Sequence, residues 1–268
     1  MITLSSDFGS PYPAAMKGVI AARSDARLVD VAHDFPRQGV QGSAFWLREV
    51  LPYFPPAVHL AVVDPGVGTD RGAVVVRAGE HAVVAPDNGL ALPAARRLLD
   101  GVGDGRETDP EVFGLDYRGG AGDWLPDPAS STFHGRDVFA PAAARVHETG
   151  VDAVASIPGI EPTGEYVDLR LPEPEVGEDG AVGEALAVDG FGNVITNIPG
   201  EALEGHFEEH VKANGVWAST RRTYAAVDEG HRVITVGSHG NVELAVNQGR
   251  GDETFGVYAG GRVSLQWS

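Results

Sequence analysis

The stretch AVHLAVVDPG, residues 57–66, decides the fold. From Ala57 to Val63 it is a near-continuous apolar run, and it stops abruptly at Asp64-Pro65-Gly66. A strand that is apolar on both faces must be covered on both, which is the habit of a parallel sheet flanked by helices. The turn at its end puts a carboxylate and flexible backbone where open α/β sheets bind their ligands.

The sequence on either side keeps the same alternation. Upstream, residues 1–5 and 27–31 predict strands, and residues 14–23 and 39–53 carry helical composition and spacing. Downstream, residues 73–78 and 82–85 are β-branched and strand-like, and Asp87 is expected to cap a helix running to Leu99. Residues 101–131, rich in Gly, Asp and Pro, predict one long loop, followed by a helix over 136–148. A Pro- and Glu-rich stretch then suggests a linker. The short β-rich runs 182–187, 193–197, 231–236, 242–246 and 262–267 suggest a small antiparallel barrel or sandwich, with 200–230 ambiguous. The expected class is α/β: a mostly parallel sheet with helices over residues 1–168, a linker over 169–180 and a smaller antiparallel β domain over 181–268.

Composition removes several functions. The chain has 268 residues, with 20 Lys plus Arg against 38 Asp plus Glu, a net charge of −18. Such a surface does not bind nucleic-acid backbone or anionic membranes. There are no cysteines, so disulfides, thiolate nucleophiles and Cys-ligated metals are excluded. No signal peptide or run of about 18 apolar residues is present, and a cytoplasmic protein is expected. Lys17 and Lys212 are the only lysines. Many spread carboxylates and few lysines suit a halophilic surface, whose self-repulsion high salt screens.

Five polar clusters stand out: Asp7 with Phe8-Gly9; Asp64 with its Pro and Gly; Asp87-Asn88-Gly89; Phe133-His134-Gly135-Arg136-Asp137; and Asp189-Gly190-Phe191-Gly192-Asn193. Each has a plain alternative. Strand-end turns favour Asp and Gly, Asp137 suits a helix first turn, and 189–193 suits a hairpin. The acidic and His residues are also the ligand types of a two-metal hydrolase, but the phosphoesterase patterns and HExxH are missing. A Gly-x-x-x-x-Gly-Lys loop is absent, as is GxGxxG after the first strand, leaving ATP hydrolysis and dinucleotide binding without support.

Taken together and in order, Ser6-Asp7-Phe8-Gly9, Val63-Asp64-Pro65-Gly66-Val67-Gly68-Thr69 with Arg71, Pro86-Asp87-Asn88-Gly89, Phe133–Asp137 and Asp189–Asn193 resemble the S-adenosyl-L-methionine (SAM) hydroxide adenosyltransferase family, hydrolases related to fluorinases and chlorinases. The resemblance implies an α/β domain followed by a β-barrel-like domain. It also implies a homotrimer whose sites lie between the N-domain of one subunit and the C-domain of its neighbour. The reaction would be SAM plus water giving adenosine and methionine, with SAM as substrate and no cofactor or metal. Some relatives favour the (R)-sulfonium epimer.

Matched residue by residue, Asp64, Arg71 and His134 correspond to a water-activating triad. Asp7 corresponds to the ribose-binding carboxylate, Asp189 to the group on the methionine ammonium, Asn193 to an adenine reader and Ser238 to a methionine-carboxylate contact. Trp46 and Phe191 would supply apolar walls. The tail departs from the pattern: His239 stands where the halogenating branch has Arg, and Gln248-Gly249-Arg250-Gly251 matches the adenine-binding segment only loosely.

A sulfonium leaves as a neutral thioether, so no general acid is needed. Placement of the nucleophile supplies about 7–11 kcal/mol, and activation of the water supplies more. Asp64 and Arg71 in contact would attract by roughly 4 kcal/mol at an effective dielectric near 20. On this expectation Asp64 orients the water, Arg71 fixes Asp64, and His134 tunes or accepts the proton. The alternatives are a SAM-dependent halogenase, disfavoured because Asp64 would repel a halide, and a non-catalytic SAM or adenosine sensor, which has no use for the triad.

Overall fold

A computed structural model of the protein describes residues 1–100, 109–119 and 121–267. The chain divides into two compact units, Met1–Arg170 and Leu171–Ser268.

The first unit is built on a seven-stranded sheet. Its strands are β1 (Ile2–Ser6), β2 (Leu28–Ala32), β3 (Val58–Val62), β4 (Ala73–Ala78), β5 (His81–Pro86), β6 (Glu111–Leu115) and β7 (Ile160–Pro162), in the order β2-β1-β3-β5-β4-β6-β7. The β2, β1, β3 and β5 strands are parallel; β4, β6 and β7 extend the sheet antiparallel. Helices α1 (Tyr12–Ala21), α2 (Val40–Val50), α3 (Leu92–Leu99) and α4 (Ala140–Thr149) cover it. Both β1 and β3 are buried along their whole length. Alternate residues serve the two faces. Leu4, Leu60 and Val62 pack with Met16, Ile20 and the alanines of α4, while Ala61, Val63 and Val83 pack with Leu47, Ala94 and Leu98. Each large side chain so buried contributes roughly 1.5–3 kcal/mol. The chain winds outward from β1 in both directions, so the carboxyl ends of β1 and β3 flank a topological switch point, the usual place for a ligand crevice.

The fold class is the one expected, with local corrections. The helix after β5 begins at Leu92, not at Asp87. Asn88 Oδ1 accepts from Leu90 N, and Gly89 at φ +85° turns the chain before the helix starts. Asp87 instead accepts the backbone N–H of Val167 at 2.8 Å. The expected loop 101–131 contains β6, because Val112, Phe113 and Leu115 have a sheet edge to bury against; residues 101–108 and 120 of it lie outside the described residues. The helix expected from residue 136 opens with a π-helical turn, Gly135–Phe139, before α4. Residues 169–180, expected as a linker, contain the short strand β8 (Glu175–Gly177).

The second unit is a closed seven-stranded barrel. Its strands are β9 (Gly180–Val188), β10 (Val194–Pro199), β11 (His210–Ala213), β12 (Val216–Thr220), β13 (Arg232–Val236), β14 (Asn241–Val246) and β15 (Arg262–Gln266). They run β10-β14-β13-β12-β11-β15-β9, and pairing of β9 with β10 closes the circle. All pairs are antiparallel except β12 with β13. Val194, Ile234, Val242 and Leu244 point inward with Phe255 of α5 (Gly251–Phe255). The ambiguous stretch 200–230 thus supplies two strands.

Candidate functional site

The loop after β3 folds back on its own carboxylate. Gly66 N donates to Asp64 Oδ1 at 3.2 Å, and Thr69 Oγ1 donates to Gly66 O at 2.7 Å. This brings Arg71 round to meet Asp64 with a fork of two bonds: Nε donates to Oδ1 at 2.9 Å, and a terminal nitrogen donates to Oδ2. The pair is nearly dry, with side-chain exposures of 10% for Arg71 and 4% for Asp64. A planar guanidinium on a carboxylate in this arrangement fixes orientation as well as charge.

The same terminal nitrogen of Arg71 lies 3.2 Å from His134 Nδ1. Arginine carries donors only, so His134 Nδ1 is the acceptor and the neutral ring's proton sits on Nε2. Burial, and then the Arg71 cation, hold the His134 pKa below its ordinary value. Both causes favour that neutral ring. His134 is positioned by Gly135, where a side chain would collide: a Cβ would come within 2.9 Å of the Phe8 ring and 3.0 Å of Met16 sulfur. Asp137 does not reach the trio. It pairs with Arg136 at 2.6 and 2.8 Å and accepts Ser130 N at 3.0 Å, tying down the preceding loop.

Two residues that sequence reasoning missed complete the setting. The Arg71 guanidinium lies 4.9 Å from the Phe139 ring centre and 5.9 Å from that of Tyr117. Tyr117 also donates its hydroxyl to Arg71 O at 3.0 Å and meets the His134 ring edge-on at 5.4 Å. No motif marks either; Tyr117 falls in the stretch read as loop.

Asp7 leaves the end of β1 and accepts Gln38 N at 2.7 Å. It shares an open cleft of about 470 Å³ with Asp64, Phe8, Tyr12, Thr132 and Phe133. Phe8, Tyr12 and Phe133 meet edge-to-face at 5.4 to 6.4 Å, forming an apolar wall. Trp46, on α2, packs against Phe45 at 5.2 Å and does not line this cleft.

In the barrel unit, Asp189–Asn193 is the turn from β9 to β10. The Asp189 carboxylate accepts Phe191 N at 2.9 Å, Asn193 N at 2.8 Å and Asn193 Nδ2 at 2.9 Å. Gly192, at φ +87°, lets the turn lie against Arg250 and Asp252. Phe191 is 81% exposed. With Asn193, Tyr224, Gln248, Gly249 and Arg250 it lines a second open cleft of about 630 Å³. Ser238 sits exposed in the turn between β13 and β14.

The comparisons with known proteins point one way. The SAM hydroxide adenosyltransferase N-terminal domain matches residues 2–155, and the C-terminal domain of the same family matches residues 183–264. A protein of Salinispora tropica named (R)-S-adenosyl-L-methionine hydrolase is 39% identical over 98% of this chain and 97% of its own. One of the same name from Thermus thermophilus is 39% identical over 97% of each. The crystal structure of an uncharacterized conserved protein from Thermotoga maritima superposes with a TM-score of 0.82 at 29% identity, covering 99% of this chain and 100% of that one. Among the described residues, no helix is long and apolar enough to cross a membrane.

Proposed function

The chain belongs to the SAM hydroxide adenosyltransferase family and hydrolyses S-adenosyl-L-methionine, and we propose that it does so by water attack on the ribose C5′, releasing adenosine and L-methionine. The observation that carries this mechanism is the Asp64–Arg71–His134 constellation: a carboxylate gripped by a fixed cation that is itself bonded to a neutral imidazole.

In the proposed step, water oxygen forms the C5′–O bond as the C5′–S bond breaks. The bonding electrons go to sulfur, which departs as the neutral thioether of methionine. The surplus proton leaves the attacking oxygen through Asp64. His134 supports the reaction differently from a general base. Its Nδ1 is engaged by Arg71, so its Nε2–H is a donor that helps orient the water. Asp7 is assigned to the ribose hydroxyls, Asp189 to the methionine ammonium, Asn193 to the adenine and Ser238 to the methionine carboxylate, with Phe191 as an apolar wall; the wall expected from Trp46 is supplied instead by Phe8, Tyr12 and Phe133. Neither a metal nor a cofactor has a part in this scheme.

We further assign the (R)-sulfonium epimer as the preferred substrate, since relatives 39% identical over almost the whole chain are named for it. The working form is proposed to be a homotrimer in which the α/β unit of one subunit meets the barrel unit of the next. An open cleft at Asp7 and Asp64, and a Phe191 that is 81% exposed, are what such an arrangement would close.

The test is incubation with each sulfonium epimer in heavy-oxygen water and excess chloride. Label in the 5′-hydroxyl of adenosine, with the (R) form consumed faster, is the expected result. A chlorinated nucleoside would make the chain a halogenase, and binding without methionine release would make it a sensor.

A further inference from the structure

Glu243 is out of place on the barrel and has no part in the mechanism above. Its neighbours in β14, Val242 and Leu244, fill the barrel interior, so Glu243 faces outward, opposite Ile195 and Thr235 on the adjoining strands. Yet it is only 5% exposed. Two things cover it. The Tyr224 hydroxyl donates to Glu243 Oε2 at 2.5 Å. On the other side lies Gly237, where an added Cβ would sit 1.8 Å from Glu243 Oε1. The carboxyl group is therefore wedged between Tyr224 and the turn Gly237–Gly240, which carries Ser238.

The wedge is costly for the fold. Burial pushes the Glu243 carboxyl above its ordinary range, and the nearby Asp189 charge adds to the shift. Burial and the Glu243 hydrogen bond push the Tyr224 hydroxyl up in the same way. An apolar side chain of similar shape would fill the space without desolvating an acid. What the arrangement fixes is the Tyr224 ring, 39% exposed and lining the cleft beside Phe191 and Asn193.

We propose that Glu243 is a positioning residue that, by gripping Tyr224 and backing the Gly237–Gly240 turn, sets the substrate-recognising surface of the barrel. The proposal rests on the reading of that surface as part of a SAM site. Glu243 touches no reacting atom; it acts on affinity through Tyr224 and the backbone that presents Ser238.

The experiment compares Tyr224→Phe, Glu243→Gln, Glu243→Ala and the Tyr224→Phe/Glu243→Ala double variant. It measures KM and kcat for SAM, calorimetric Kd for adenosine, and melting temperature. Tyr224→Phe removes the hydroxyl that donates to the buried Glu243 carboxyl, so it should lower the melting temperature by a few degrees while leaving the protein folded at the assay temperature. It is expected to raise KM and the adenosine Kd about tenfold, as loss of one strong hydrogen bond would, with kcat nearly constant. Glu243→Gln keeps an acceptor oxygen and should restore affinity to within about threefold of wild type. The double variant should be no worse than Glu243→Ala alone, because both cut one linkage. Unchanged KM and Kd in an active protein, additive losses, or losses in kcat rather than KM would overturn the proposal. A wild type that binds adenosine but leaves SAM intact would instead sink the hydrolase reading.

Discussion

The turn after β3 and the turn after β9 begin alike, each with an Asp at a strand end followed by glycines, and they are finished on opposite plans. Asp64 takes one N–H from its own turn and two from the Arg71 guanidinium. Asp189 takes three hydrogen bonds, all from neutral donors of its own turn. Neutral donors orient a carboxylate without cancelling its charge; a bidentate cation does both. Asp64 is therefore held in place with its charge balanced by Arg71, which is the preorganisation that the catalytic role proposed for it above would require. The three neutral donors leave the Asp189 charge uncancelled, which is what the ammonium-binding role proposed for it above would require.

Asp64→Asn is the sharpest way to break this contrast. The amide offers an NH₂ where Arg71 needs an acceptor, and proton removal from the water is lost. We expect kcat to fall by about 10²–10⁴ with KM little changed, read by steady-state methionine release. Asp189→Asn should do the reverse: KM rises by roughly ten- to a hundredfold, as for a lost charge-assisted hydrogen bond, and kcat holds. If the two variants show the same kcat and KM pattern, the division between these two proposed roles is wrong.

The sequence made the Asp64 side legible because its chemistry sits in contiguous motifs. Residues 57–66 announce a buried strand and its turn, and β4 spans the expected 73–78. Arg71 and His134 stand in motifs as well, yet that they meet depends on Gly135 letting the second loop sit on Phe8, a contact no pattern reveals. Tyr117 and Phe139, which flank the guanidinium, were invisible because an aromatic in a Gly- and Asp-rich stretch, or on an alanine-rich helix, reads as ordinary packing. Asp87 was misread because an Asp before an apolar stretch is the usual cap signal, whereas its actual partner, Val167 N, lies 80 residues away. The barrel was less legible: β11 and β12 are short, and the order that closes the barrel is purely a matter of long-range pairing.

Acid sharpens the comparison at the level of stability. The α/β unit buries His59, pushed down to about 3 by burial and then by the neighbouring His81, which burial also holds low. His59 Nδ1 bonds Thr3 Oγ1 at 2.8 Å and its Nε2 meets His81 Nδ1 at 3.0 Å, across β1, β3 and β5. A folded-state pKa below the unfolded value gives stability that is whole above about 6.5 and is lost as pH falls toward 3, at about 1.4 kcal/mol per pH unit for this one group. Glu243 has the opposite sign: its raised pKa favours the barrel as pH falls through the carboxylate range. Hydrogen exchange between pH 6.5 and 4 should therefore open β1, β3 and β5 before β13 and β14; simultaneous opening would refute the assignment.

Salt gives the smallest effect and separates the two turns once more. At 1 M salt the screening length is about 3 Å, against about 10 Å at 0.1 M. With 38 acidic residues against 20 basic ones, the surface repulsion that weakens the fold should diminish, and the melting temperature should rise by several degrees between those concentrations. A melting temperature indifferent to KCl would remove the halophilic reading. The Asp64–Arg71 pair, dry and already in contact, lies inside any screening length, so kcat should stay flat across the same series. The attraction between an exposed-turn carboxylate and an incoming ammonium does not, so KM should climb by about two- to threefold. A kcat that falls with salt while KM holds would mean that the balanced charge is at Asp189 and the waiting one at Asp64.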